Sequence, residues 1–109
     1  MSLKKYLDVC TSTMIIAQEC AVECMENNMP KTAKLCLDTA EFCDITATFC
    51  ARNSFLAEEV IDLCRQFCEA CADECHKYAA DNVYMRNCEA ACRQCAEVCA
   101  EVELQENAA

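Results

Sequence analysis

Small apolar residues return every three or four positions along almost the whole chain, with charged residues set between them. Cys64, Cys68, Cys71 and Cys75 form one 4-3-4 run, and Cys88, Cys92, Cys95 and Cys99 form another. A helix advances about 100° per residue, so each run lies on a single stripe. Cys36, Cys43 and Cys50 repeat every seven residues, with Ala40/Ala47 or Thr39/Thr46 on the same face. Cys10, Ala17 and Cys24 repeat in the same way, with Thr13 and Cys20 beside them. The pattern predicts helices over about residues 3–27, 30–52, 55–80 and 82–104, followed by a frayed tail over 105–109.

The breaks have their own chemistry. Asn28-Met29-Pro30 ends the first helix, and Pro30 suits the first turn of the second, where its missing N–H is not needed. Asn53-Ser54 reads as a stop and an N-cap, with Glu58 and Glu59 near the next positive helix end. Asp81-Asn82 supplies the last cap. Arg65/Glu69, Asp73/Lys77 and Glu89/Arg93 are oppositely charged pairs four apart, as exposed helix faces favour. Connections this short make consecutive helices antiparallel neighbours. The expectation is one all-α domain over residues 1–109, an antiparallel up-down-up-down four-helix bundle with a cysteine-lined core.

Composition sharpens this. The chain has no Gly and one Pro, which leaves hairpins without their turn residues. It has 14 cysteines among 109 residues, so the inward stripes carry thiols or small residues where a bundle normally keeps leucine. Such a core buries little hydrocarbon, and bound metal would supply both volume and stability. Nineteen acids against nine bases give a net charge of −10, which argues against nucleic acid and anionic membranes as partners. Lys4 and Lys5 are followed by no apolar stretch, so neither a signal peptide nor a membrane span is expected, and the address implied is cytoplasmic, where thiols stay reduced.

Five CxxxC pairs stand out: Cys20/Cys24, Cys64/Cys68, Cys71/Cys75, Cys88/Cys92 and Cys95/Cys99. Residues four apart on a helix hold their Cβ atoms about 5–6 Å from each other, too far for an unstrained disulfide. Two sulfurs can instead converge on one ion. Cu(I) is soft and content with two or three thiolates, whereas zinc prefers four ligands in a tetrahedron. Two facing pairs would satisfy zinc as well. Stacked pairs read as a column of similar sites, suited to storing ions rather than to catalysis. Two thiolates per ion leave a buried negative charge, so filling drifts towards bridging sulfurs. The range is roughly seven ions for isolated pairs to about fourteen for bridged ones.

These residues resemble the bacterial copper storage proteins over about Leu3 to Leu104. The five pairs together with Cys10, Cys36, Cys43 and Cys50 carry the resemblance. It implies several Cu(I) ions bound along the bundle interior and assembly into homotetramers. Lacking a twin-arginine leader, the chain is similar to the cytosolic members. Family members tend to carry His or Met ligands at one open end. Here Met25, Met29, His76 and Met85 fall at the same end, and Met85, His76 and Met25 are the possible mouth ligands. Met85 lies about 50° from the cysteine stripe; Met25 and His76 lie about 100° away. Met14 belongs to packing near the other end.

Helices 1 and 2 carry a second apolar set, Ile15 and Val22 on one and Phe42, Ile45 and Phe49 on the other. Ile15 and Ile45 lie about 160–180° from their cysteine stripes, which predicts self-association through these faces. Helices 3 and 4 turn Asp62, Glu69, Asp73, Arg93, Glu97 and Glu101 outward. The competing readings use the same thiols: a zinc or cadmium buffer, a redox or disulfide-stapled structural protein, or a small catalytic thiol protein. The Cys68-x-x-Cys71 and Cys92-x-x-Cys95 spacings fall mid-helix as by-products of the 4-3-4 runs, and neither ferredoxin spacing is present. No nucleophile–base pair is visible, so the expectation is not an enzyme.

Overall fold

The computed structural model describes residues 3–108, and side chains as far as residue 102. Four α-helices dominate the described residues: α1 Lys4–Glu26, α2 Pro30–Ala51, α3 Ala57–His76 and α4 Val83–Ala108. Each packs on the next, and α1 also packs on α4, which closes an antiparallel four-helix ring about 45 Å long. The first two helices end alike. Asn28 and Asn53 take positive φ, 61° and 51°. Asn28 N–H bonds Met25 O and Met29 N–H bonds Cys24 O; Asn53 N–H bonds Cys50 O and Ser54 N–H bonds Phe49 O. These are Schellman motifs, built on asparagine because the chain has no glycine to enter the left-handed region.

The third helix is shorter than its periodicity implies. It begins at Ala57 rather than near residue 55, because Ser54 caps a turn: its Oγ accepts from Leu56 N–H and its carbonyl from Ala57 N–H. It ends at His76 rather than near 80. Beyond it Lys77, Tyr78, Ala79 and Asp81 each bond three residues back, which tightens the chain into turns. Asn82 then caps α4, its Oδ1 accepting from the N–H groups of Tyr84 and Met85 at 2.9 and 3.1 Å. The last helix runs on to Ala108, past the fraying expected from residue 105; Met1, Ser2 and Ala109 lie outside the described residues.

Inside, all fourteen cysteines are buried. Alanines 17, 21, 33, 40 and 72 and threonines 13, 39 and 46 fill the space between them. Thr39 and Thr46 return their hydroxyls to the carbonyls of Leu35 and Phe42, so they present methyl groups to the core. The largest fully buried side chains sit at the two ends: Met85 at one, Tyr6, Ile61 and Val102 at the other. The outer surface is mixed. Ile15, Val22 and Ile45 are exposed, as expected. Phe42 and Phe49 are not free outer residues: Phe42 is half-buried and stacks on Phe67, centroids 4.9 Å apart, and Arg52 covers half-buried Phe49. Arg65–Glu69 and Arg93–Glu89 pair as expected, whereas Asp73 meets Arg93 across the α3–α4 face and Lys77, already past the helix end, turns back to Glu74. Asp62 and Glu101 are only half-exposed, each held in an ion pair, with Arg65 and with Lys5.

Asn82→Ala removes the acceptor for two otherwise unpaired amides of α4. The metal-free reduced protein should lose about 1 kcal/mol of stability, read as a lower urea midpoint at unchanged slope.

Candidate metal centre

Because α1 and α3 run one way and α2 and α4 the other, sulfurs from two, three or all four helices meet in layers. Cys20, Cys36, Cys75 and Cys88 form one layer, and Cys71, Cys88 and Cys92 the next. Cys43, Cys64, Cys68 and Cys95 form a third, and Cys10, Cys64, Cys95 and Cys99 a fourth. Within each layer every Sγ lies within 4.8 Å of every other. Cys64, Cys88 and Cys95 each serve two layers. The shortest contacts run from 3.8 Å, for Cys10–Cys64 and Cys43–Cys64, to 4.0 Å for Cys88–Cys92. All fourteen thiols are free. A separation near 4 Å is about twice an S–S bond, yet close enough for one soft ion to touch several sulfurs.

The protons of such a core are shared unevenly. Cys64 is drawn below the ordinary thiol range by the sulfurs of Cys10, Cys43, Cys68 and Cys95 around it, while Cys68 is pushed above it by Cys43 and its other neighbours. In the other half Cys71 is lowered by Cys36 and adjacent thiols, and Cys88 is raised by Cys20 and Cys36. Cys24 and Cys50 stand outside the layers. Burial pushes Cys24 up to about 12 and Cys50 to about 11.

At one end Met85 closes the column. It is fully buried, its Sδ 3.5 Å from Cys20 Sγ and 3.7 Å from Cys24 Sγ. Its start-of-helix position and its phase near the stripe made it legible in the sequence. Met25 and His76 occupy the same end but face out. Met25 is 54% exposed, and the His76 side chain, 71% exposed, meets Glu89 through Nδ1 at 2.8 Å. Their 100° offset from the stripe turns them to the flank. Met29 and Met14 are half-buried against the core. At the opposite end the cysteine stripes continue into Tyr6, Ile61 and Val102, and these carry no sulfur. Periodicity alone contained that signal, since Tyr6 and Ile61 lie one turn before Cys10 and Cys64, and Val102 one turn beyond Cys99. The doubly used sulfurs had no such signal, because sharing is decided across helices.

A family model described as copper storage protein matches residues 1–104. The chain belongs to the copper storage protein family. It is similar to solved members: the Cu(I)-bound copper storage protein BsCsp3 at 25% identity and TM-score 0.87, covering 94% of this chain and 98% of that one. It is also similar to a cytosolic copper storage protein from Streptomyces lividans, whose structure holds five coppers, at 26% identity and TM-score 0.86, covering 93% and 91%. A Bacillus subtilis (strain 168) relative, the uncharacterized cysteine-rich protein YhjQ, is 28% identical over 97 residues, which is 85% of this chain and 88% of the relative. For a copper storage protein the layers supply what the family's cargo requires, soft ligands in a buried interior. Among the described residues no helix is long and apolar enough to cross a membrane.

The buried neutral thiols set a pH response in the metal-free state. Unfolded thiols ionise near 8.5, whereas folded Cys24 and Cys50 hold their protons to about 12 and about 11. The folded state therefore binds more protons than the unfolded one between these values, and stability falls as pH rises. Reduced, metal-free protein should melt at a steadily lower temperature from pH 8.5 to 11; a constant melting temperature would contradict the burial of neutral thiols.

Proposed function

We propose that this copper storage protein holds several Cu(I) ions at once in its thiol core, for sequestration, detoxification or supply, and catalyses no reaction. The observation that carries this is the continuity of the sulfur layers: all but Cys24 and Cys50 belong to a layer, and three belong to two. Shared sulfurs suit an ion that accepts low coordination and bridging thiolates. One Cu(I) per thiolate leaves the interior neutral, since each bound ion expels a thiol proton. Fewer ions than thiolates strand negative charge in a low-dielectric core, so partial filling is stabilised by residual thiols that donate to their thiolate neighbours.

The ligand set in this reading is Cys10, Cys20, Cys24, Cys36, Cys43, Cys50, Cys64, Cys68, Cys71, Cys75, Cys88, Cys92, Cys95 and Cys99, with the Met85 thioether at the mouth. A thioether binds Cu(I) without losing a proton or adding charge, which makes it a weak ligand suited to entry and exit. His76 and Met25 stand outside this set, one tied to Glu89 and the other in solvent. A zinc or cadmium buffer would use the four-sulfur layers singly; the doubly used sulfurs and the thioether favour Cu(I) over both. The protein works in the cytoplasm, as its Streptomyces relative does by name. It self-associates as a homo-oligomer, a tetramer by family likeness, through the outer faces of α1 and α2. Exposed Ile15 and Val22 on α1 and Leu37 and Ile45 on α2 support that assembly.

Anaerobic titration with Cu(I) against a chromophoric chelator should saturate between about seven and about fourteen ions per chain; saturation at one or two would refute storage. Cys64→Ser, which strips two layers, should lower capacity by more ions than Cys50→Ser, which strips none. Light scattering of the wild type at micromolar concentration should give an oligomer, and joint replacement Ile15→Glu and Ile45→Glu should give smaller species. A wild-type monomer would reject the interface.

A further inference from the structure

Among the described residues, one buried side-chain nitrogen or oxygen atom lacks a hydrogen-bond partner, the hydroxyl of Tyr6. The ring is fully buried. A phenol so placed has surrendered its water without gaining an acceptor for its O–H, and phenylalanine would fill the same space without that loss. Lys5 can only donate to the phenol oxygen, so it leaves the O–H itself without an acceptor. Lys5 Nζ lies over the ring, 5.2 Å from its centroid, and is itself paired with Glu101. An orphaned donor in a core calls for an acceptor, which the metal-free packing does not bring within reach.

The surroundings name that acceptor. Tyr6 sits one helical turn before Cys10 on the inward stripe of α1. It caps the end of the bundle where Cys10, Cys64, Cys95 and Cys99 form the last layer, with Ile61 and Val102 completing the apolar plug. A neutral thiol is a poor acceptor; a thiolate is a strong one. Burial holds the proton on the phenol against the pull of Lys5, and the fields of Glu101 and Cys99 add to it.

We infer that Tyr6 is a positioning residue for the closed-end layer, donating its O–H to a thiolate of Cys10, Cys64, Cys95 or Cys99 once that layer holds Cu(I). This inference rests on the storage reading. The phenol keeps its proton throughout: the entering ion displaces the thiol proton to solvent, a copper–sulfur bond forms, and the sulfur's remaining lone pair accepts from Oη. Tyrosine oxygen is a hard donor and is not a ligand to the soft ion. Its hydrogen bond draws charge from the sulfur where thiolates outnumber ions, and it acts at the end farthest from Met85.

Tyr6→Phe separates this role from simple packing. In the metal-free reduced protein the variant should be at least as stable as the wild type, since an unsatisfied hydroxyl is removed. In chelator competition it should hold its closed-end ions about tenfold more weakly, with the remaining ions unchanged. Wild-type protein carrying ¹³Cζ-tyrosine gives a second measurement that needs no refolded variant. Loading with Cu(I) should shift the Tyr6 resonance more than those of Tyr78 and Tyr84. Equal Cu(I) affinities for Tyr6→Phe and wild type, or a Tyr6 resonance unmoved by loading, would overturn the inference alone. Failure of the wild type to take up several ions would overturn the storage reading with it.

Discussion

Everything in this molecule depends on thiols held in contact but not in bond. Four rigid backbones set the distances: cysteine sulfurs approach one another to 3.8–4.0 Å across helices. Along one helix the four-residue step keeps Cβ atoms beyond unstrained disulfide reach. The spacing leaves each sulfur available and surrounded by others. A sheet or loop scaffold would lack this uniform rise, and its cysteines would be free to drift into S–S pairs. The absence of glycine serves the same end, because stiff helices with asparagine stops give the thiols no hinge on which to converge.

The same choice of core residues has a cost in packing. Cysteine, alanine and threonine bury less hydrocarbon than leucine, and the large buried side chains stand only at the ends of the column. The bundle without metal therefore relies on the Asn82 cap of α4, on the Schellman stops and on the close approach that small residues permit. Cargo then adds bonds exactly where hydrocarbon is thin, so loading and stability are linked. The two ends divide the labour. A thioether at Met85 touches the thiols of Cys20 and Cys24, whereas Tyr6, Ile61 and Val102 shut the other end with bulk.

Much of this was written in the one-dimensional pattern. Runs at 4-3-4 and every seven residues place cysteines on one stripe of each helix, and a stripe of small apolar residues has to face inward. From that follow the all-α class, the antiparallel order and the burial of the thiols. Helix ends were read less well. Ser54 has the side chain of a cap but spends it on a turn, and the cysteine rhythm through Cys75 gave no warning that the chain tightens at Lys77. The outer apolar set was half legible: Ile15 and Ile45 sit opposite the thiols, but Phe42 is wide enough to reach sideways to Phe67.

By itself the sequence determined which residues share a face, because helical phase is a local property fixed by 3.6 residues per turn. It could not determine which sulfur serves two layers, since that depends on the relative height of neighbouring helices. Only the packed bundle placed Cys64 and Cys95 between two layers, tied His76 to Glu89, and sealed the Tyr6 hydroxyl away from water. Those are distances between residues far apart in the chain, and a hydrogen bond or a bridging sulfur is decided within a few tenths of an ångström.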